Sequence, residues 1–420
     1  MTDYIAELTS RLSAEELRAL LAPKPQRVRK PSIRPSRNPS LSTVNAAWRT
    51  LLKETAATET DKRALADPDT EAVLPAYGAN IENLIGTLKV PVGIIGPLAV
   101  NGLHAQGDYY VPLATTEAAL VASYGRGAQL VSLAGGASAA LLSEGVMRAP
   151  AFAFSSLYEA GHFCSWVASS FPRLKQAAET TTRHGKLADI TTQMEGDHVY
   201  LICRFTTGDA AGQNMATIAT EAVCQEIIEA CPVKPAYWFL EANLSGDKKA
   251  SALSFMNGRG RKVSASVLLP KALVEQNLHT SVERMHDYWR MSALGGVMSG
   301  TIGVHGHYAN GLTALYLATG QDAACVAESS VGITRMEIRG GDLFVSVALP
   351  NLMVGTVGGG TGLPTQSIGL RILGLEGSGK ARALAEVTAA LCLAGEISII
   401  GALAAGEFAR AHKLLARDRR

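Results

Sequence analysis

At 420 residues, 47% of them apolar and only 18% charged, the chain is long enough for two or three domains and too apolar for a disordered protein. A formal net charge of +2 gives no electrostatic case for nucleic acid or a membrane surface as the main partner. The six cysteines form no CxxC pair and no zinc spacing, so they predict small core residues in a reducing compartment and no metal site.

In chain order, residues 2–22 predict an amphipathic helix, with Ile5, Leu8, Leu12, Leu17, Leu20 and Leu21 near one face. KPQRVRKPSIRPSRNPS (24–40) is basic and has a proline every few residues, which predicts an arm outside the core. It reads either as a solvated tether or as a docking segment for a partner protein. The N-terminus has no basic region followed by an apolar stretch, and so no visible signal peptide. The longest apolar run, LCLAGEISIIGALAAG, is interrupted by Glu396. The expectation is a cytoplasmic protein without a transmembrane segment.

From about residue 45 the chain reads as globular. Strands are predicted over 89–100, 108–116, 198–209, 262–270 and 342–350, where β-branched and apolar residues alternate or run together. Thr115 and Thr116 predict a helix start, which would place Glu117 in an apolar, buried helix, ATTEAALVAS. A second helix is predicted over 210–230, and the last 35 residues read as helical throughout. Strands and helices mix without a regular βαβ alternation, which predicts an α+β fold.

Several segments could carry chemistry. GLEGSGKA (374–381) nearly matches a phosphate-binding loop, but Ala381 stands where a hydroxyl is needed and a helix precedes it, so it reads as an ordinary loop. VGTVGGGTGLPTQ (354–366) reads equally as a tight turn or as an anion cradle. TTGDAAGQNM (206–215) ends a strand and opens a helix with small residues; Asp209 is either a helix cap or part of a ligand loop. Asp247, Lys248 and Lys249 are either an exposed charge cluster or a lysine held by a carboxylate to stabilise an oxyanion.

Together these segments occur in a characteristic order: ENLIG and VPVGIIGPL (82–98), ATTEAALVAS with GRG (114–127), GDAAGQNM with TE (208–221), DKKASA (247–252), GRGRKV (258–263), GQDAA (320–324), ESS (328–330), the glycine loop, and LAGEIS with a distal histidine. Over about residues 75–415 the chain resembles the catalytic domain of the 3-hydroxy-3-methylglutaryl-CoA (HMG-CoA) reductases, and the NADPH-using class more than the shorter degradative one.

The resemblance implies an N-terminal segment (1–44), a large substrate and dimerisation domain (45–149 and 241–400), an inserted ferredoxin-like NADP(H)-binding domain (150–240) and a C-terminal catalytic tail (401–420). It implies a homodimer, or a tetramer of dimers, with shared active sites. It implies reduction of the acyl-CoA thioester HMG-CoA to mevalonate with two NADPH and release of CoA. Lys248 would steady the oxyanion, Glu117 would supply a proton, Asp322 would tune both, and His412 would protonate the leaving thiolate. Arg148, Asn243, Asp247, Lys249, Asn310, Ser123 and Arg126 match substrate-binding positions. Thr182, Arg183, Asp209, Gly212, Gln213, Asn214, Gly358 and Gly359 match cofactor positions, and a cation beside the ribose favours NADPH over NADH.

Two positions depart from the family pattern. Met291 stands where the family has a lysine for the substrate's free carboxylate, with Arg290 beside it, and Glu241 replaces a serine. Either Arg290 swings in, or the acyl group is not HMG. The alternative is a repurposed member that reduces another thioester, on CoA or on an acidic carrier protein docked by residues 1–40. A non-catalytic binding subunit is a third reading, which the intact Glu117, Lys248, Asp322 and His412 set opposes.

Overall fold

The computed structural model describes residues 10–24, 30–33 and 35–407, and it divides into two compact units, residues 1–88 and 89–420. His412, and with it the distal histidine call, lies outside the described residues.

The first unit holds helices α1 (Ala14–Leu21), α2 (Leu41–Glu54), α3 (Glu59–Leu65) and α4 (Pro68–Ala72). Each begins at a polar cap: the side chains of Ser13, Ser40, Thr58 and Asp67 accept a backbone N–H three residues on. Trp48 anchors the unit, buried, with its indole N–H donating to the Ile85 carbonyl at 2.7 Å. The described part of the helix expected over 2–22 is α1, which buries none of its residues and leaves Leu20 and Leu21 exposed. Residues 2–9 of that segment fall outside the described residues.

In the second unit, β1 (Val92–Gly102) and β2 (Gln106–Ala114) form a hairpin that leads to α5 (Leu120–Leu133). There follow β3 (Ala137–Arg148), β4 (Ala151–Ala153), α6 (Leu157–Ser169), α7 (Phe171–Glu179), β5 (Lys186–Glu195), β6 (His198–Thr206), α8 (Gln213–Ala230) and β7 (Tyr237–Phe239). The chain then returns through α9 (Ala252–Asn257), β8 (Gly260–Leu269), α10 (Lys271–Leu278), α11 (Val282–Ser299), β9 (Gly303–Val304), α12 (Tyr308–Thr319), α13 (Val326–Ser329), β10 (Gly332–Arg339), β11 (Asp342–Leu352), α14 (Gln366–Ile372) and α15 (Ala381–Ala404).

The strand order is β7-β4-β6-β3-β8-β11-β10-β9, with β1 on β3 and β5 on β6. β3 belongs to two sheets: residues 138–145 pair with β8, and residues 146–148 pair with β6. On β8 and β11 buried and partly exposed residues alternate, as one face of each packs inward. The expected α+β architecture is therefore present, and strands stand close to their predicted spans.

The core is organised on α15. It is apolar around its circumference, and Leu384, Val387, Leu391, Leu393 and Ile397 are fully buried. Each such side chain contributes about 1.5–3 kcal/mol of burial. Among the described residues it is the one helix long and apolar enough to cross a membrane, and 89% of its apolar window is buried inside the protein. Its crossing with α5 is very close: a Cβ on Gly127 would lie 1.8 Å from the Ala394 carbonyl oxygen. The Tyr124 ring fits where a Cβ on Gly311 or Gly395 would meet it at about 2.4 Å.

Two glutamates stand in this apolar helix, both fully buried. Glu386 accepts backbone N–H groups of His104, Ala105 and Leu141 at 2.7, 2.8 and 3.1 Å. Glu396 accepts those of Gly306 and His307 at 2.7 and 2.8 Å and the Thr334 hydroxyl at 2.7 Å. Hydrogen bonds to backbone donors replace the water each carboxylate lost.

Candidate active site

Asp247 shows how the sequence builds one side of the site. It lies in the turn after β7, where its two carboxylate oxygens accept from Arg148 at 2.7 Å and from Arg259 at 2.8 Å. Arg259 is wholly buried and also pairs with buried Glu328. Burial works against the charged Asp247, but the Arg148 hydrogen bond and the Arg259 and Lys248 charges hold it below the usual carboxylate range. For Glu328 burial prevails over Arg259, and its pKa is raised.

With Asp247 fixed on both oxygens, the next residue is presented outward. Lys248 has a left-handed backbone, φ 56°, and its ammonium lies 2.9 Å from Asp322 Oδ2. The Asp322 hydrogen bond raises the Lys248 pKa, against the effect of burial. Asp322 also accepts the Ala324 N–H at 3.0 Å, so its carboxylate is oriented from its own chain as well. Lys249 points back, its ammonium on the Asp247 carbonyl at 2.9 Å.

Three segments meet beside this pair, two of which the sequence left open. Gln321 bonds both ways to Gly355, its Oε1 accepting the N–H at 2.8 Å and its Nε2 donating to the carbonyl at 3.0 Å. Thr356 N–H donates to the Asp209 carbonyl at 2.9 Å. Buried Arg261 donates to the carbonyls of Val354 and Gly208. Gln213 Nε2 reaches Cys325 Sγ at 2.7 Å. The 206–215 loop, the 320–325 turn and the 354–362 glycine loop are thus one assembly.

Helix α8 opens from this assembly at Gly212, with φ 84° and no side-chain cap. Among the described residues no side chain caps the first turn, so the N–H groups of Gln213 and Asn214 are left for a ligand or water. A Cβ on Gly358 or Gly359 would meet nothing within 4 Å. Thr182 accepts the Gly185 N–H at 3.0 Å, and that turn packs on Met215, with exposed Arg183 beside it. Free amides, open glycines and a cation are a donor set that fits a phosphate-bearing nucleotide.

Asp209 is not the cap of α8. Its carboxylate accepts the N–H groups of Gly379 and Ala381, at 2.7 and 3.2 Å, at the start of α15. The segment that nearly matched a phosphate loop therefore ends on a carboxylate of the protein itself.

Glu117 departs from the buried helix expected of ATTEAALVAS. Ala119 takes a left-handed conformation, φ 67°, and α5 begins only at Leu120. Glu117 sits on the preceding turn, exposed in this chain, on a cleft of about 410 Å³ that Thr116, Asn310 and Thr313 also line. Asn310 Nδ2 donates to Glu117 Oε2 at 2.7 Å. Among the described residues no hydrogen bond or ion pair joins the Glu117–Asn310 pair to the Lys248–Asp322 pair.

Other predicted residues are engaged locally. Ser123 bonds Ser398 at 3.0 Å, and Arg126 donates to the Ser398 carbonyl at 2.8 Å, tying α5 to α15; burial lowers the Arg126 pKa. Asn243 has φ 66° and donates its N–H to Glu241 at 2.9 Å. Glu241 also accepts the Ala149 N–H at 3.2 Å and stands 3.7 Å from Arg148. It is therefore held by the protein's own backbone and lies beside the Arg148 guanidinium. Met291 is 74% exposed on α11, while Arg290 faces Asp287 at 3.8 Å.

Residue-level reading missed Arg259, Arg261, Gln321, Glu328 and Tyr124. A signal did exist for two of them: GRGRKV places two arginines at the start of a predicted strand, Arg259 just before β8 and Arg261 within it.

Comparisons with known proteins give the family. The family profile described as Hydroxymethylglutaryl-coenzyme A reductase matches residues 46–417. The 3-hydroxy-3-methylglutaryl-coenzyme A reductase of Haloferax volcanii is 46% identical over 351 residues, covering 82% of this chain and 87% of that one. The enzyme of the same name from Aeropyrum pernix is 44% identical over 347 residues, covering 81% and 82%. A structure of the class II reductase from Streptococcus pneumoniae, bound to NADPH in open conformations, has a TM-score of 0.64 at 20% identity, over 85% of this chain and 99% of that one. At that identity the likeness is one of fold. With the profile spanning most of the chain and relatives this similar, the chain belongs to the hydroxymethylglutaryl-coenzyme A reductase family.

Proposed function

We propose that this oxidoreductase carries out its family's four-electron reduction of HMG-CoA to mevalonate through Lys248, Asp322, Glu117 and the tail residue His412. The observation that supports this most is the Lys248–Asp322 pair, an ammonium held 2.9 Å from a carboxylate on a turn fixed by two arginines. A fixed ammonium stabilises the oxyanion formed at a carbonyl under attack. Glu117, oriented by Asn310, donates a proton from its carboxyl to the oxygen of the aldehyde in the second reduction. His412 protonates the thiolate that leaves after the first.

NADPH, when bound, supplies the hydride for each reduction. Residues 150–240 form its domain in this reading. Gly212, Gln213 and Asn214 at the start of α8 would hold its phosphates, together with Gly358 and Gly359. Thr182 and Arg183 lie toward the ribose, where a cation favours the 2′-phosphate of NADPH over NADH. Asp209 acts by fixing the loop to α15. Arg148, Asn243, Asp247, Lys249, Ser123, Arg126 and Asn310 shape the acyl-CoA side.

The enzyme works as a homodimer or a tetramer of dimers. In support, α11 carries Met291, Leu294, Val297 and Met298 between 67% and 87% exposed, an apolar stripe that a second copy would cover. Another acyl thioester is not favoured, since the relatives cited at 44–46% identity carry the HMG-CoA reductase name.

The test is NADPH oxidation with HMG-CoA, followed with thiol release. Two NADPH per thiol is the expected result. Turnover only with a thioester lacking the distal carboxylate would overturn the substrate, and cofactor binding without turnover on any thioester would overturn the activity.

A further inference from the structure

Helix α12 carries Asn310, and its start is not capped by its own segment. His307 precedes the helix with φ −152°, and no local side chain accepts its first N–H groups. Glu396 of α15, 89 and 90 residues along the chain, instead holds the two residues that lead into the helix: Oε1 takes the His307 N–H at 2.8 Å and Oε2 the Gly306 N–H at 2.7 Å.

The contact is reinforced on every side. The His307 ring Nε2 bonds the Gly395 carbonyl at 2.9 Å, the residue before Glu396. Thr334 Oγ1 donates to Glu396 Oε2 at 2.7 Å and is bonded to the Tyr308 hydroxyl at 2.8 Å. The Tyr124 hydroxyl donates to the His307 carbonyl and accepts the Gly311 N–H, each at 3.0 Å. Residues 306–311 are held at both ends, and Asn310 lies inside that span, its own N–H on the His307 carbonyl at 3.2 Å. From there its side chain reaches Glu117 at 2.7 Å.

We infer that Glu396 is a positioning residue for the proton donor. Its carboxylate fixes Gly306 and His307, which lead into α12, and so the place from which Asn310 orients Glu117. The inference rests on the reading of Glu117 as that donor. A buried acid in an apolar helix is otherwise a burden on folding, and hydrogen bonds alone do not distinguish a structural role from a positioning one. Glu386 provides the distinction. It stands ten residues earlier on the same helix, is equally buried and holds three backbone N–H groups, but these belong to the β1–β2 turn and β3.

The experiment uses the full chain, NADPH and the free aldehyde of the substrate's acyl group, so that only the second reduction is read. Glu117→Gln, Asn310→Ala, Glu396→Gln, Glu386→Gln and the Glu396→Gln/Asn310→Ala double variant are compared. Glu396→Gln replaces one acceptor by an amide NH₂ facing a backbone N–H. It is expected to lower kcat about ten- to hundredfold, as misplacement of a reacting group does, with KM for NADPH unchanged. Adding Asn310→Ala should cost nothing further, because both changes act through one contact. Glu386→Gln should lower the melting temperature comparably and leave kcat as it is.

Wild-type kcat in Glu396→Gln, an equal kcat loss in Glu386→Gln, or multiplying losses in the double variant would each overturn the inference. If Glu396→Gln does not fold, Tyr124→Phe tests the same span by removing one hydroxyl. A lowered kcat not compounded by Asn310→Ala supports the inference, and an unchanged kcat overturns it. If Glu117→Gln itself reduces the aldehyde normally, the donor reading fails, and the inference with it. If Glu117→Gln is inactive while Glu396→Gln is normal, only the inference fails.

Discussion

Asp209 and Gly379 lie 170 residues apart, and the carboxylate of one accepts the backbone N–H of the other at 2.7 Å. The same carboxylate takes the Ala381 N–H, so the loop that opens α8 also caps α15. Removing it uncaps the principal core helix. Asp209→Ala should lose about 0.5–2 kcal/mol in urea unfolding, and Asp209→Asn clearly less, since the amide oxygen still accepts one N–H. Equal losses in the two variants would show that charge, not capping, matters there.

The Lys248–Asp322 pair sets an alkaline limit. With the Asp322 hydrogen bond, the Lys248 pKa lies above its ordinary 10.5. The pair's stabilisation is complete below the ordinary lysine value and is lost as pH rises through the raised one. Both side chains are more than two-fifths exposed, so its stability effect is below about 1 kcal/mol. Catalysis is the better readout. In Asp322→Asn the alkaline limb of kcat/KM should move to lower pH. A limb that stays in place would separate Lys248 from it.

Asp247 has the opposite sign. Its folded pKa is lowered, so its contribution is present above the unfolded value, about 3.9, and fades as pH falls through the lower folded value. Asp247→Asn leaves Arg148 and buried Arg259 short of an anion and should cost about 3–5 kcal/mol at neutral pH. Unfolding across a pH series should show the gap from wild type closing in acid. A gap independent of pH would point to packing instead.

Gly127→Ala should destabilise by about 1–3 kcal/mol or more, because its Cβ would meet the Ala394 carbonyl at 1.8 Å and two packed helices would have to part. Gly161→Ala is the contrast. That glycine is in α6 with nothing within 4 Å, so alanine should stabilise by about 0.5–1 kcal/mol. Thermal unfolding of both variants checks the pair.

How much of this the sequence shows depends on the range of the interaction. The α+β class, five of the eleven described strands and the family are carried by local pattern and ordered motifs, while long strands such as β3, β5 and β10 are not. The start of α5 is not, because nothing in ATTEAALVAS marks Ala119 as left-handed, and two threonines are a reasonable helix signal. Asp209 is a plausible cap by position, yet the helix it caps begins 172 residues later. Glu396 is conspicuous in its apolar run, but what it accepts lies on a segment about 90 residues away. Charges whose partners are distant in sequence are legible as anomalies, and only the fold says what they answer.

Because β3 pairs with β8 through residues 138–145 and with β6 through 146–148, the large and small sheets have a strand in common. The two pairings meet at Gly145 and Val146, so no linker separates one sheet from the other. A change of register on either side would therefore be passed to the other through the backbone of one strand.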